Sequence, residues 1–424
     1  MAEYEQLPGD GQKKFISTGN RKKGGAGLFV LGLLIGVIAA AIGVGIFFGL
    51  QGGSLAAGTG SSGPSKGSAV NDQSSRKLTE LEKVIETNYY WSDEVTKEQK
   101  ENGLYKGLLE SLGDPYSVYY TPEELQELTM DTQGIYYGIG AYVSQDPETG
   151  YGVISGVIKN SPAEAAELKE GDIIYKVDGE EMAGMELDKI VSKIRGEEGT
   201  QVHLTLVRDG ETIEKDIVRA RVDSPTVDSK MLDNGIGYLQ ITQFDDVTVG
   251  QFDENLQSLK SQGMTAMILD LRSNPGGNVS TVTQIANRIL PKGLIFYMEE
   301  KDGKRTDYTC SGADWDIPLV VLINQYSASA SEILAGAIQD AGIGTLVGVT
   351  SYGKGIVQNI IPLNDGSAIK LTVASYYTRN GRYIHEKGIA PDVEVDLDTD
   401  KYLKDETDTQ LDKAVEVITE MRNK

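Results

Sequence analysis

Residues 26–50 read AGLFVLGLLIGVIAAAIGVGIFFGL and carry no charge. A helix of that length extends about 37 Å, against about 30 Å of bilayer hydrocarbon. The run predicts one membrane-spanning helix, which confines every later element to a single side of a membrane. Lys13, Lys14, Arg21, Lys22 and Lys23 precede it, and no charge follows until Lys66. Positive flanks stay cytoplasmic. Residues 1–25 are therefore expected in the cytoplasm, and everything after about residue 51 is expected outside, attached to the cell membrane in a single pass. A cleaved signal peptide competes, because SLAAG at 54–58 has the small residues of a cleavage site. The run is longer than the usual apolar core of such a peptide, so an uncleaved anchor in the lipid bilayer is expected. Gly32, Gly36, Gly45 and Gly49 give small-xxx-small spacing, which allows copies of the helix to pair into a homo-oligomer.

The 424 residues exceed what one core usually organises. Residues 51–75 are Gly/Ser-rich without apolar period, a flexible linker. Residues 76–131 read as a small helical module. In its first helix Leu78, Leu81, Val84 and Ile85 fall on one face, and its third starts at the cap Thr121 with Pro122 at the first helical position. The formal net charge of -23 repels polyanions and excludes nucleic acid as a partner. Cys310 is the one cysteine, so no intramolecular disulfide or cysteine-based metal site can form. No His/Asp/Glu grouping suggests a metal, and nothing in the chain implies a cofactor.

Over residues 132–222 the period alternates. YGIGAYVSQ, YGVISGVI, DIIYKVDG, VHLTLVRDG and ETIEKDIVRARV read as five strands, with helices at SPAEAAEL and MELDKIVSKIRG. Tyr137-Gly138-Ile139-Gly140, then Ser161-Pro162-Ala163 to Leu168 and Glu170-Gly171-Asp172-Ile173-Ile174, resemble the signatures of a PDZ domain. The resemblance implies that Tyr137, Gly138, Ile139 and Gly140 form a loop whose N–H groups hold a peptide's terminal carboxylate while a strand edge pairs with the peptide.

Residues 223–398 alternate apolar strands with helices, as expected for a sheet covered by helices, and residues 399–424 form an acidic tail with one amphipathic helix. The apolar strand at 319–323 runs into NQYSASASEILAGAIQDA. A serine at a strand-to-helix turn lies where helix N-terminal N–H groups stabilise an oxyanion, each donor being worth roughly 10²–10³ in rate. Ser327, Ser329 and Ser331 all fit, and all fit equally well as helix caps. Further on, Lys354 stands between Gly353 and Gly355, with Gln358 four residues beyond. To act as a base, such a lysine must be buried enough to lower its pKa by ~3, about 4 kcal/mol of differential solvation. The S-x-x-K match at Ser351 to Lys354 lacks the partner motifs of the acyl transferases that use it, and G-x-S-x-G is absent. His203 and His385 have no acid at triad-like placement and read as structural.

The stretch LVVLINQYSASASEILAGAIQDAGIGTLVGVTSYGKGIVQ closely resembles the core of the C-terminal processing peptidases, or tail-specific proteases. LDLRSNPGGN, SLGDPYSVYYTPEE and GRYIHEKGIAPDVEV resemble their other segments, and the likeness runs from about residue 78 to 415. It implies Ser329 as nucleophile, Lys354 as general base and Gln358 as orienting group. Ala330 and a glycine of Gly276 and Gly277 would supply the oxyanion hole. It also implies a crotonase-like α/β protease core carrying an inserted PDZ domain, and protein or peptide substrates bound by their C-termini. Asn278 departs from the pattern, because a leucine usually follows NPGG in the family; SYGKG likewise stands where TFGKG is common. A non-catalytic, membrane-tethered PDZ sensor or scaffold is the rival expectation.

Overall fold

This computed structural model describes residues 68–423, together with the backbone of the two-residue strands Glu5–Gln6, Lys13–Lys14 and Ile46–Phe47. Apart from Ile46–Phe47, the expected membrane helix at 26–50 lies outside the described residues, as do most of the cytoplasmic segment and of the linker. Among the described residues no helix is long and apolar enough to cross a membrane. The chain divides into two compact units. Among the residues from 68 onward, the larger comprises Gln126–Val357 and the chain from Val373; the smaller comprises residues 68–125 and Gln358–Thr372.

Six strands of the larger unit lie side by side in the order Val227–Leu232, Ile236–Ile241, Ala266–Asp270, Leu319–Ile323, Thr345–Gly348 and Val393–Glu394. The first pair is antiparallel and the rest are parallel. Ala266–Asp270 and Leu319–Ile323 are buried at every position, the burial that continuous apolar strands require. The tail helix Thr409–Arg422 packs Ala414 and Ile418 against Ile236, Ile268, Val320 and Leu322. Arg272 ties its start to the sheet, bonding both Asp270 (2.6 Å) and Asp408 (2.8 Å). Cys310 ends a strand paired with Gly293–Glu300, and its buried thiol donates to the Pro291 carbonyl (2.9 Å), a packing role.

Within the same unit, Glu211–Val218, Gln201–Arg208, Ile173–Val177, Gly152–Val157 and Ala141–Gln145 form a second sheet, with helices Pro162–Ala165 and Leu187–Ile194. The chain enters this subdomain through Ile135–Gly138 and leaves through Ala220–Asp223, and these two strands pair antiparallel. Two stretches that read as single strands are thus each divided. Gly140, at φ +81°, turns the first. At the second break the buried Arg219 sends its guanidinium inward to the carbonyls of Ile194 (2.8 Å), Lys193 (2.9 Å) and Gln201 (2.9 Å).

In the smaller unit, helices Asp72–Asn88 and Lys97–Glu110 precede Val118–Tyr120, which pairs with residues 368–370. No residue of Asp72–Asn88 is buried, so the apolar face of Leu78, Leu81, Val84 and Ile85 is exposed. The first turn of the third helix, from Pro122, starts as its sequence requires: Thr121 Oγ1 accepts the Glu124 N–H (3.2 Å), and Glu124 accepts the Thr121 N–H in return (2.9 Å).

Candidate active site

The chain leaves the buried strand Leu319–Ile323, turns, and starts the helix Ala330–Ala341. Of the three candidate serines, two have committed hydroxyls. Ser327 Oγ donates to the Leu271 carbonyl (2.8 Å) and accepts the Asn324 N–H (2.9 Å). Ser331 Oγ donates to the Asn274 carbonyl (3.0 Å). Ser329 sits between them at φ 54°, ψ −112°, a sparsely populated backbone conformation for any residue with a Cβ. Strain of this kind persists only where the surroundings over-determine it. Here the Ser329 N–H donates to Glu332 Oε2 (2.8 Å), and its carbonyl accepts the Tyr376 hydroxyl (3.1 Å) and the Ile333 N–H (2.9 Å).

Glu332 holds the turn together. Its carboxylate is fully buried and also takes the Ser351 hydroxyl (2.6 Å) and the N–H groups of Gly353 (2.7 Å) and Lys354 (2.8 Å). One side chain thereby bridges the serine turn and the backbone of the lysine loop. Burial pushes its pKa above the ordinary glutamate value, opposed by those four donors. The glutamate's position three residues after Ser329, the spacing of a capping box, was the available sequence signal, but that spacing does not reveal the reach to residues 351–354.

The glycine pair abuts the serine. A Cβ on Gly276 would lie 2.8 Å from Ser329 Cβ and 3.0 Å from Ala330 N, so only glycine lets the two backbones approach this closely. The Gly276 N–H is already given to Asn274 Oδ1 (2.8 Å). The Gly277 and Ala330 N–H groups make no hydrogen bond among the described residues. Of the three expected oxyanion donors, Gly277 and Ala330 therefore remain open, and Gly276 serves close packing.

Lys354 is 3% exposed in a loop pressed against residues 385–388. A Cβ on Gly355 would lie 2.6 Å from the His385 N, which explains the glycine beside the lysine. Gln358 lies on the strand Ile356–Pro362 and is almost fully buried. Its Nε2 donates to Thr372 Oγ1 (3.1 Å), and its Oε1 takes no hydrogen bond among the described residues. His203 is a surface residue held by Asp216 (2.7 Å) and Glu214 (2.8 Å).

In the second sheet, a groove of about 330 Å³ is lined by Ile139, Gly140, Tyr142, Ile158, Val191 and Ile194 among others. Ile139 and Gly140 offer N–H groups that make no hydrogen bond among the described residues. Tyr137 and Gly138 do not line the groove; they pair with Arg221 and Ala220.

Residues 235–395 match the pattern of Peptidase family S41, and residues 153–208 match that of the PDZ domain. The chain is similar to the carboxy-terminal processing protease CtpA of Bacillus subtilis, 37% identical over 336 residues that cover 78% of this chain and 71% of CtpA. It is also 35% identical to CtpB of that organism, over 76% of this chain and 68% of CtpB. Among solved structures, a putative S41 protease from Bacteroides fragilis shares the fold at a TM-score of 0.50 and 17% identity, covering 85% of this chain and all of that one.

Proposed function

The chain belongs to the carboxy-terminal processing proteases of Peptidase family S41, serine-type enzymes that here carry a PDZ domain, and from that premise we propose that it cleaves proteins near their C-termini with Ser329 as nucleophile and Lys354 as general base. The rival reading as a non-catalytic sensor has no observation in its favour. Ser329 Oγ attacks the scissile carbonyl carbon and passes its proton to the neutral Lys354 amine. The tetrahedral oxyanion lies between the Gly277 and Ala330 N–H groups. As the C–N bond breaks, the lysine gives that proton to the leaving nitrogen. Water then attacks the acyl-enzyme, Lys354 takes its proton, and collapse of the second tetrahedral species returns that proton to Ser329 Oγ and releases the new carboxyl end. By the family likeness, Gln358 is assigned the role of orienting group for the amine.

One observation carries this reading: Ser327 and Ser331 donate their hydroxyls to the Leu271 and Asn274 carbonyls, whereas the Ser329 hydroxyl donates to no group among the described residues and lies beside two N–H groups that make no hydrogen bond there. The PDZ domain captures the substrate tail, with the terminal carboxylate on the Ile139 and Gly140 N–H groups and an apolar last side chain in the groove. We read the protease core as crotonase-like. We place domain boundaries at 76–131 for the helical module, 132–222 for the PDZ domain, 223–398 for the protease core and 399–424 for the tail. We read residues 26–50 as an uncleaved anchor that holds all of these on the extracytoplasmic side of the cell membrane. Cleavage of a peptide with a free, apolar C-terminus by the full chain, compared with Ser329→Ala and Lys354→Met, tests the chemistry. The reading predicts turnover by wild type alone, and equal turnover by wild type and Ser329→Ala would sink it.

A further inference from the structure

Asn278 follows the glycine pair directly and precedes the helix Val279–Ala286. An asparagine at a helix start normally accepts N–H groups of the first turn. This one makes no such cap. It is 3% exposed, and its Nδ2 donates instead to the Thr132 carbonyl (3.1 Å), 146 residues away, and to Asp246 Oδ1 (2.8 Å). A leucine fills a similar volume but can make neither bond.

These partners lie at the root of the PDZ domain. Thr132 is two residues before Gly134, whose carbonyl accepts the Ser224 N–H (2.8 Å), so the strands that enter and leave the domain are pinned together there. The Thr132 carbonyl also takes the Asp246 N–H (3.2 Å). From that segment, Phe244 clamps the glycine loop on both sides: its N–H donates to the Gly276 carbonyl (2.8 Å), and its carbonyl accepts the Asn278 N–H (2.7 Å). A continuous set of hydrogen bonds therefore runs from the PDZ root to the residues on either side of Gly277, and the Asn278 side chain adds a direct link across it.

We infer that Asn278 is a positioning residue that couples the PDZ root to the oxyanion loop, so that tail capture sets the Gly277 N–H for catalysis. This inference rests on the proteolytic reading above. Coupling of this kind is typically worth about 5–150-fold, and it acts on turnover because the oxyanion forms only in the transition state.

The test uses the full chain in detergent and two peptides that differ only in a free or an amidated C-terminus. Wild type turns over the free-tail peptide with the higher kcat. In Asn278→Leu that kcat advantage collapses toward unity, while the affinity for the free-tail peptide, measured in a Ser329→Ala background, is kept. Asp246→Asn retains the acceptor oxygen and keeps the advantage. Asp246→Ala loses it in part, and it decides the matter if Asn278→Leu fails to fold. If Asn278→Leu lowers kcat equally for both peptides, Asn278 is merely structural and the inference is overturned. A wild type indifferent to the tail overturns it as well. If wild type cleaves neither peptide, or Ser329→Ala cleaves both, the proteolytic reading itself falls and takes the inference with it.

Discussion

Two carboxyl groups of the larger unit are buried to nearly the same degree and are treated in opposite ways. Glu332, beneath the serine turn, receives four hydrogen bonds on its two oxygens. Asp245 is 4% exposed and receives one, from Gln243 Nε2 (2.9 Å). It borders a cavity of about 400 Å³ that Asp131, Gly276 and Gly277 also line. Burial pushes the Asp245 pKa up to about 7; Gln243 opposes this, and the neighbouring Asp131 and Asp246 add to it. The contrast separates a carboxylate that fixes geometry from one that the fold merely tolerates. Satisfaction by donors, rather than depth, decides which is which.

The largest effect should come from breaking the satisfied site. Glu332→Gln replaces one acceptor oxygen with an NH₂ that faces N–H or O–H donors, so the serine turn and lysine loop lose their common anchor. A misplacement of about 1 Å at a reacting centre can cost roughly 10²-fold. Turnover should fall by at least about that factor, and a variant with wild-type kcat would show that the bridge is dispensable. A second satisfied carboxylate provides a control away from the chemistry. Arg272→Ala leaves the buried Asp270 with the Tyr238 hydroxyl (2.7 Å) and the residue-272 backbone N–H (2.9 Å) but no cation, and stability should drop by roughly 3–5 kcal/mol in denaturant titrations.

The unsatisfied site should respond with the opposite sign. Between about pH 4 and pH 7 the folded state binds more protons at Asp245 than the unfolded chain does, so stability falls as pH rises through that window. Asp245→Asn should flatten this slope and raise the melting temperature at pH 8 by roughly 2–4 °C. An unchanged slope would mean that Asp245 is better solvated than its burial implies. The smallest effect is expected in the smaller unit. There Lys370 is buried over the Tyr120 ring, and burial lowers its pKa to about 8, against the pull of Asp114. A depressed lysine binds fewer protons folded than unfolded, so its contribution improves as pH rises from about 8 to 10.5. Lys370→Met should stabilise the chain at pH 7 by about 1 kcal/mol, read as a shift in denaturant midpoint.

Much of the site was legible in the sequence because its parts are local. The apolar strand before the serines, the helix after them and the glycines beside Lys354 follow from residue type and spacing. The choice among Ser327, Ser329 and Ser331 did not, and it came from the family likeness. What distinguishes the flanking serines lies 56 and 57 residues away, in the Leu271 and Asn274 carbonyls that occupy their hydroxyls. The reach of Glu332 to Ser351 and the Asn278 bond to Thr132 are equally invisible to periodicity, since they exist only once distant segments meet. The helix Asp72–Asn88 errs the other way: its amphipathic pattern is clear, yet its apolar face has no cover among the described residues. The PDZ strands read well except where a positive-φ glycine and an inward arginine divide them.

The central claim concerns which serine carries the acyl group. Reaction of the full chain with an activated peptide ester, quenched in acid and mapped by mass spectrometry, addresses it directly. An acyl adduct on Ser329 in wild type, and on none of the three serines in Ser329→Ala, is the predicted result. An adduct on Ser327 or Ser331, or an acylated Ser329→Ala chain, would contradict the account.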